Sequence, residues 1–437
     1  MSSSKEVSIN VEHLTRVEGH GNIVLNANSG VLKKVEWQVP EAPRFFESFV
    51  RNRPYNELSH LTSRICGICS IGHSLASLKA TENAMDIHIS EQTELLRKLA
   101  LHGENMQSHI LHIGYLVAPD LFSVGSVFPL ISSAKETVKK IISLHRLANE
   151  MSELICGRTT HPITLVPGGF SDIPSEKQLF QLQKRLINCM ETCTVVAQVV
   201  LDNIDKLPNF TRETEFIGLT STDEYALYDG IIGSTDTGNH PVDDYITIVN
   251  EFIVPQSTAK YCKHNRESYM VGALARFNLN SDLLNPSAKD LAKKFDLQPI
   301  NYNPFMNNIA QLVEFVHSVE DSIELIDVLI DSGLKTDEKP STFVIKEGRG
   351  IGAIEVPRGI LFHDYTYNKK GICTKANCVI PTNQNHNNIQ KDMEAFAPEL
   401  LEKSKEEITL NLEMLVRAYD PCISCSTHYL DVQFVDE

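Results

Sequence analysis

Two Cys-x-x-Cys pairs stand near opposite ends of this chain, Cys66 and Cys69 in "RICGICSIGH" and Cys422 and Cys425 in "DPCISCSTH". A Cys-x-x-Cys turn directs both of its sulfurs at one point, so two such pairs predict a metal site with four thiolate ligands. Zinc ribbons separate their pairs by roughly 15–20 residues, whereas more than 350 residues intervene here. The site therefore has to be closed by the whole fold, with the two ends of the chain meeting in space.

Coordination chemistry alone leaves the metal open. Four sulfur ligands in a tetrahedral arrangement are typical of zinc or of iron–sulfur centres, and a structural zinc site is the non-redox interpretation. A redox-active Cys-x-x-Cys is a third interpretation, but it gives no reason for a matching second pair.

Composition and charge narrow the function. The net charge of −16, from 56 acidic and 40 basic residues, excludes nucleic acid as the main partner, because phosphate binding needs a basic face. The N-terminus has no apolar signal segment, and no apolar run approaches the ~18 residues of a membrane span. The ten cysteines are then expected to be thiols or ligands rather than disulfides. We expect a cytoplasmic protein without a membrane span, unless a partner subunit supplies an export signal.

Hydrophobic periodicity predicts an α+β fold that is predominantly helical, with β pieces near both termini. Alternation around the turn "NSG" predicts a β hairpin within about 1–60, and helical spacing dominates about 70–340, apart from a turn-rich β excursion near 205–250. Residues 342–382 again have the pattern of strands, and a last helix is expected over 392–419. Because no linker or repeat divides the chain, we expect one multi-lobed unit over 1–437, whose C-terminal β region, about 341–437, completes the metal site.

The two cysteine motifs resemble the paired signatures of the large, catalytic subunit of nickel–iron hydrogenases. The likeness continues, in order, through "LTRVEGHG" (14–21), "APRFFE" (42–47), "YMVGALAR" (269–276), "NPFMNNIAQ" (303–311) and "EVPRGILFHDY" (355–365). It covers essentially the whole chain and implies that family's fold. It also implies nickel, and the reversible heterolytic cleavage of dihydrogen into protons and electrons.

Carried over residue by residue, the resemblance implies that all four cysteines bind nickel. Cys69 and Cys425 would also bridge to an iron ion that carries carbon monoxide and cyanide. Glu18 matches the family's proton-relaying glutamate. Arg358 matches the arginine above the open metal position, where its charge would also offset the buried thiolates.

The same resemblance implies several residues around the two metals. His73 would donate a hydrogen bond to a bridging sulfur, and Asp420 would pair with Arg358 by charge. The pocket for the diatomic ligands would be lined by Pro357, Arg358, Leu361, Pro381 and Thr382.

A separate magnesium or iron ion is implied near the carboxyl end. Its ligands would be Glu47, the backbone carbonyl of Cys378 and His428, with waters completing the shell, as hard oxygen ligands suit magnesium. A bulky aliphatic residue is common in the family at the position of Cys378, but only its carbonyl would be used. Residues 429–437 follow His428 where the family's removable tail begins, so either this is a precursor or the tail persists.

The implied enzyme needs partners. The remaining cysteines lack iron–sulfur cluster spacing, so a small subunit is expected to hold such clusters. Further electron-transfer subunits would be of a flavin- and nicotinamide-linked type or of a heterodisulfide-reductase type, and the sequence does not choose between them. A maturation protease and nickel-insertion factors are implied as well.

The alternative function is a non-redox structural subunit with a four-cysteine zinc site. Respiratory complex I contains a relative of the implied fold that has lost the metal-binding cysteines. All four cysteines are present here, which favours the enzyme.

Overall fold

The structure, a computed structural model, describes residues 6–427 of the chain. The helices are α1 Phe46–Val50, α2 Leu58–Thr62, α3 Ser70–Met85, α4 Glu91–Leu111, α5 Ala118–Leu121, α6 Leu130–Ser133, α7 Lys135–Cys156, α8 Glu176–Leu201, α9 Tyr245–Val249, α10 Ala273–Asn280, α11 Pro286–Lys294, α12 Asn307–Asp331, α13 Pro381–Leu400, α14 Lys405–Ala418 and α15 Ile423–Ser426. The strands are β1 Glu6–Val11, β2 Asn22–Asn28, β3 Val31–Gln38, β4 Leu165–Val166, β5 Gly169–Phe170, β6 Glu215–Thr220, β7 Ile231–Ser234, β8 Gly238–His240, β9 Glu251–Phe252, β10 Tyr261–Cys262, β11 Tyr269–Met270, β12 Gly348–Val356, β13 Gly359–Tyr367 and β14 Cys373–Val379.

Four long helices, α4, α7, α8 and α12, pack side by side and form the helical body. Their starts are encoded locally. The Ser90 side chain accepts a hydrogen bond from the Thr93 N–H at 3.0 Å before α4, and Ser175 and Gln178 form a capping box at the start of α8. Such caps satisfy backbone donors that the first turn of a helix leaves open. The body is the rigid support on which the smaller sheets rest.

Two antiparallel three-stranded sheets come from the two ends of the chain, β1–β2–β3 and β12–β13–β14. The predicted N-terminal hairpin is β2–β3, to which β1 adds a third strand. The predicted β excursion holds β6, β7 and β8. Helices with separate, mostly antiparallel sheets give the predicted α+β fold.

Helix α3 lies directly on strand β12, and glycine makes this contact possible. A methyl group at Gly348, Gly350 or Gly352 would overlap the backbone of α3 at Ala84, Ala80 and Ala76. Alternate residues of a strand share one face, so the three glycines form a flat strip along that face. Backbone therefore meets backbone, which fixes the end of β12 relative to the start of α3.

The two ends of the chain meet. Glu18 and Cys422 form a parallel β bridge, and the Ile423 N–H donates to the Glu18 carbonyl at 3.0 Å. Helix α13 packs on β3, where the Gln390 side chain accepts from the Trp37 N–H at 2.8 Å and donates to the Val35 carbonyl at 2.9 Å. These bonds span more than 350 residues of sequence, as the cysteine spacing requires.

The last predicted helix is wrong in both its start and its continuity. Instead of one helix over 392–419, α13 begins at Pro381 and ends at Leu400, and α14 begins at Lys405. Ser404 and Glu407 form a capping box that starts a new helix, so the chain turns between the two.

Substituting Gly350 by Ala should destabilise the protein by about 1–3 kcal/mol, because the methyl group forces α3 and β12 apart. Thermal unfolding of the purified chain measures the effect as a lowered melting temperature. Gly125→Ala is the matched control, since no described atom lies within 4 Å of the methyl it adds. Equal melting temperatures for both variants would contradict the close packing.

Candidate metal centre

The four predicted cysteines converge in the interior. Their sulfur atoms all lie within 4.8 Å of one another and all four residues are buried. The Sγ atoms of Cys66 and Cys422 are 3.6 Å apart, and Cys422 and Cys425 are joined as a disulfide. A soft metal ion fits such a set of sulfurs, once reduction has freed the second pair as thiolates.

Each pair is delivered by its own local structure. Cys69 directly precedes α3, and its N–H donates to the Cys66 sulfur at 3.1 Å. Cys422 follows the bridge to Glu18, and its N–H donates to the Thr382 hydroxyl oxygen at 3.0 Å. Cys425 lies in the short helix α15. The N-terminus of α3 faces this region, and its partial positive charge favours nearby anions.

Arg44, a residue that the sequence alone did not single out, ties the two cysteine loops together. Its Nη2 donates to the Ile65 carbonyl at 2.5 Å and to the Ser424 carbonyl at 2.6 Å. Its backbone N–H donates to the Thr427 carbonyl at 2.9 Å. Arg44 lies within the motif "APRFFE", but only the fold shows that one guanidinium reaches both ends of the chain.

Arg358 is buried beside the sulfurs, in the tight turn that joins β12 to β13. Its Nε donates to the Asp420 carbonyl at 2.5 Å and its Nη2 to the Asp420 carboxylate at 2.8 Å. Among residues 6–427, Nη1 has no hydrogen-bond partner. Burial opposes ionisation of Cys66, but bonds from Cys69 and the charge of Arg358 outweigh it and lower the pKa of this thiol. An unpaired buried donor near ionisable sulfurs is what an anionic ligand needs.

Glu18 lies at the other side of the second pair, half-buried. Its carboxylate accepts from the Ser424 N–H at 3.1 Å and from the Ser424 hydroxyl. Its charge acts on Cys66, where it opposes formation of the thiolate. A carboxylate in this position can accept a proton from a group in the cysteine cluster.

The remaining predicted residues are buried around this core. Thr382 contacts Cys422, as given above, and Pro381 is the first residue of α13. Leu361 lies in β13, three residues after Arg358, and Pro357 directly precedes it. His73 on α3 bonds through Nδ1 to His363 Nε2 at 3.1 Å, so a bond from His73 to a sulfur would use Nε2.

The second predicted metal site is only partly described. Glu47 on α1 is buried, and its charge helps burial to raise the pKa of the Cys378 thiol well above its ordinary value, which places the two residues near each other. His428, the third predicted ligand, and the tail 429–437 lie outside the described residues. The proposed three-ligand set is therefore represented by two members.

Glu104 on α4 is a further buried carboxylate that was not predicted from the sequence. Its two oxygens accept from the backbone N–H groups of Ile71 at 2.7 Å and Gly72 at 3.1 Å. Burial, to which the charge of Cys66 adds, raises its pKa to about 8. The signal was the density of polar residues in "LHGENMQSH", which are buried although a surface helix would expose them.

A buried cysteine cluster with an arginine beside it, held in a helix-rich α+β fold, defines a metal–thiolate protein. Residues 44–146 and 224–428, more than half of the chain, match the family model of nickel-dependent hydrogenases. The chain belongs to the nickel-dependent hydrogenase family. The predicted family, fold class and enzyme class are thereby confirmed.

Individual relatives agree with this assignment along the whole chain. The alpha subunit of sulfhydrogenase 1 from Pyrococcus furiosus is 31% identical, over 96% of this chain and 97% of its own length. A subunit of the F420-non-reducing hydrogenase from Methanothermobacter marburgensis is 30% identical, over 98% of this chain and 96% of its own length. A crystal structure of an NAD+-reducing [NiFe]-hydrogenase in the H2-reduced state superposes with a TM-score of 0.86 at 26% identity, over 97% of this chain and 99% of that one. Within residues 6–427, no helix is long and apolar enough to cross a membrane.

His386 gives the region around Cys425 a predictable response to acid. The Trp37 indole N–H donates to His386 Nδ1 at 3.0 Å, so the imidazole proton sits on Nε2, which donates to the Ser426 hydroxyl oxygen at 2.8 Å. Burial lowers the pKa of His386 to about 3. The unfolded chain would protonate near pH 6.5, so this stabilisation is complete above about pH 6.5 and is lost as the pH falls toward 3.

We expect His386→Gln, which stays neutral and keeps one acceptor and one donor, to flatten the fall in melting temperature between about pH 6.5 and 4.5. His88→Gln is the control, because the His88 side chain is 90% exposed and its loss should leave the pH profile of the natural chain unchanged. Melting curves across this pH range decide the matter. An unaltered slope for His386→Gln would contradict the assignment.

Proposed function

We propose that this chain is the catalytic subunit that cleaves dihydrogen reversibly and heterolytically at a nickel–iron centre held by Cys66, Cys69, Cys422 and Cys425. The observation that carries the proposal is the set of four buried sulfurs within 4.8 Å of one another, drawn from both ends of the chain. Family membership supports nickel as the metal. Cys66 and Cys422 would be terminal ligands, and Cys69 and Cys425 would bridge to iron carrying carbon monoxide and cyanide.

When bound, the metal pair supplies a Lewis-acidic position that polarises dihydrogen, and a path for the electrons. The protein supplies the groups around that position. Arg358 offers a fixed positive charge and the unpaired Nη1 donors, both of which favour developing negative charge above the sulfurs. Pro357, Leu361, Pro381 and Thr382 would enclose the diatomic ligands, and His73 would donate to a bridging sulfur.

Glu18 would take the proton. It is joined to Cys422 by a backbone bridge and is bonded to Ser424, which stands between the two cysteines of the second pair. Because Glu18 is only half-buried, it can receive a proton on its inner side and release it toward solvent. This is general acid–base work at a carboxylate held by two hydrogen bonds.

The electrons would leave through a partner. Within residues 6–427, the one group of three or more side chains placed to hold a metal is the cysteine cluster itself. A small subunit with iron–sulfur clusters would carry the electrons to a nicotinamide-linked or heterodisulfide-reductase-type module. The similarity to an NAD+-reducing and to an F420-non-reducing hydrogenase is consistent with either module. The assembly would be cytoplasmic, like the location we expect from the sequence.

A second ion, magnesium or iron, would bind near the carboxyl end through Glu47, the Cys378 carbonyl and His428. The proximity of Glu47 to Cys378 supports this site. A maturation protease would remove residues 429–437 after nickel-insertion factors have loaded the centre.

Elemental analysis of the purified complex should find nickel together with iron, and infrared spectroscopy should find bands of iron-bound carbon monoxide and cyanide. Zinc alone would favour a structural four-cysteine site instead. Cys425→Ala should abolish dihydrogen-dependent dye reduction and the infrared bands, because a bridging thiolate is lost. Cys189→Ala, which removes a buried cysteine far from the cluster in sequence, should keep both.

Arg358→Lys should slow turnover by on the order of 10²-fold or more, since a preorganised planar donor is replaced by a point charge. Nickel and iron contents should stay at the level of the natural protein. Arg349→Lys is the control: Arg349 is on β12 and its side chain is half exposed. Turnover at the natural rate in Arg358→Lys would remove this arginine from the mechanism.

A further inference from the structure

Arg276 on α10 uses all five of its N–H donors in the protein interior. Nε and Nη2 grip the two carboxylate oxygens of Glu314 at 2.7 and 2.6 Å. Nη1 donates to the Glu355 carboxylate at 2.8 Å. The two remaining donors reach backbone carbonyls, Nη1 that of Val356 at 2.9 Å and Nη2 that of Pro357 at 3.0 Å. The side chain is fully buried, so a structural reason for such a costly residue is required.

The two carbonyls belong to the residues that directly precede Arg358. Val356 pairs with Gly359 across the turn, so Pro357 and Arg358 are its two central residues. On the other side of the turn, a methyl group at Gly272 would lie 3.2 Å from the Arg358 carbonyl oxygen. The backbone of the turn is therefore held between Arg276 and the start of α10.

Helix α12 fixes both ends of the Arg358 side chain. Glu314 on α12 holds Arg276, which holds the backbone from which Arg358 begins. Gln311, three residues earlier on the same helix, donates through Nε2 to the Asp420 carboxylate at 3.1 Å, and Asp420 binds the Arg358 guanidinium. Residues three apart share one face of a helix. One face of α12 thus sets where Arg358 starts and where its guanidinium ends.

We propose that Arg276, gripped by Glu314, is a positioning residue that sets the place of the Arg358 guanidinium beside the cysteine cluster. The inference rests on the proposed function, in which Arg358 acts at that place. Arg276 touches no sulfur and would act only through the turn. Lysine cannot replace it, because three donors on one nitrogen cannot bind two carboxylates and two carbonyls at once.

The experiment uses the complete hydrogenase complex with Arg276→Lys, Arg358→Lys and the double variant. Misplacement of a catalytic group by about 1 Å can cost on the order of 10²-fold in rate. We therefore expect Arg276→Lys to lower kcat by about 10- to 100-fold with an unchanged KM for dihydrogen. Nickel and iron contents and the infrared bands of the iron ligands should remain those of the natural complex. The double variant should be no slower than Arg358→Lys, within about twofold.

Arg97→Lys is the matched control. Arg97 is also fully buried, grips both oxygens of Glu82 at 2.7 and 2.6 Å and donates to the Val166 carbonyl. It does not contact the turn at Arg358. It should lower the melting temperature as Arg276→Lys does, yet leave kcat within about twofold of the natural value.

Two results would overturn the inference while leaving the proposed function in place. One is natural turnover in Arg276→Lys. The other is a double variant whose loss equals the product of the two single losses, since Arg276 would then act independently of Arg358. Natural turnover in Arg358→Lys would instead remove the catalytic role of that arginine, and the inference with it. If Arg276→Lys does not fold, Glu314→Gln weakens the same grip, and the same non-additivity with Arg358→Lys is required.

Discussion

Four sulfurs that must become thiolates lie within 4.8 Å of one another in the protein interior, and the surrounding structure compensates for that concentration of negative charge. Several like charges out of water are stable only when cations, oriented dipoles and hydrogen bonds surround them. Arg358 supplies the cation and the start of α3 supplies the dipole. Arg44 holds the two cysteine loops together by their carbonyls. The metal completes the balance, because coordination keeps thiolates deprotonated.

Polar side chains also replace apolar packing at the joints between segments. The first two turns of α13 bury six polar residues, Asn383, Gln384, Asn385, His386, Asn387 and Asn388. Asn385 both accepts from the Val271 N–H at 2.9 Å and donates to the Val271 carbonyl at 3.1 Å. Asn383 donates to the Ser426 carbonyl at 2.8 Å. Each amide satisfies backbone groups that no sheet or helix can reach, which makes the arrangement specific rather than merely compact.

Much of the fold could be read from the sequence because its signals are local. Turn residues, strand alternation and helical periodicity predicted β2–β3, the long helices and the C-terminal sheet. The start of α13 could not be read in this way. "PTNQNHNNIQ" is rich in asparagine, which has low helix propensity, and the helix forms because its side chains bond to distant loops. The opposite error occurred at 401–404, where an amphipathic pattern continued across a capping box. At the site, the cysteine pairs are a pattern that spacing reveals. Arg44, Glu104 and Arg276 are single residues whose partners lie on other elements, so only the folded chain brings their roles together.

Trp37 is the one tryptophan of the chain, and it is fully buried with its indole N–H on His386. His386 in turn bonds to Ser426, the neighbour of Cys425. The intrinsic tryptophan fluorescence of this protein therefore originates two hydrogen bonds from the last metal-binding loop. Emission from this single fluorophore gives a label-free optical signal for whether the C-terminal segment has docked over the centre.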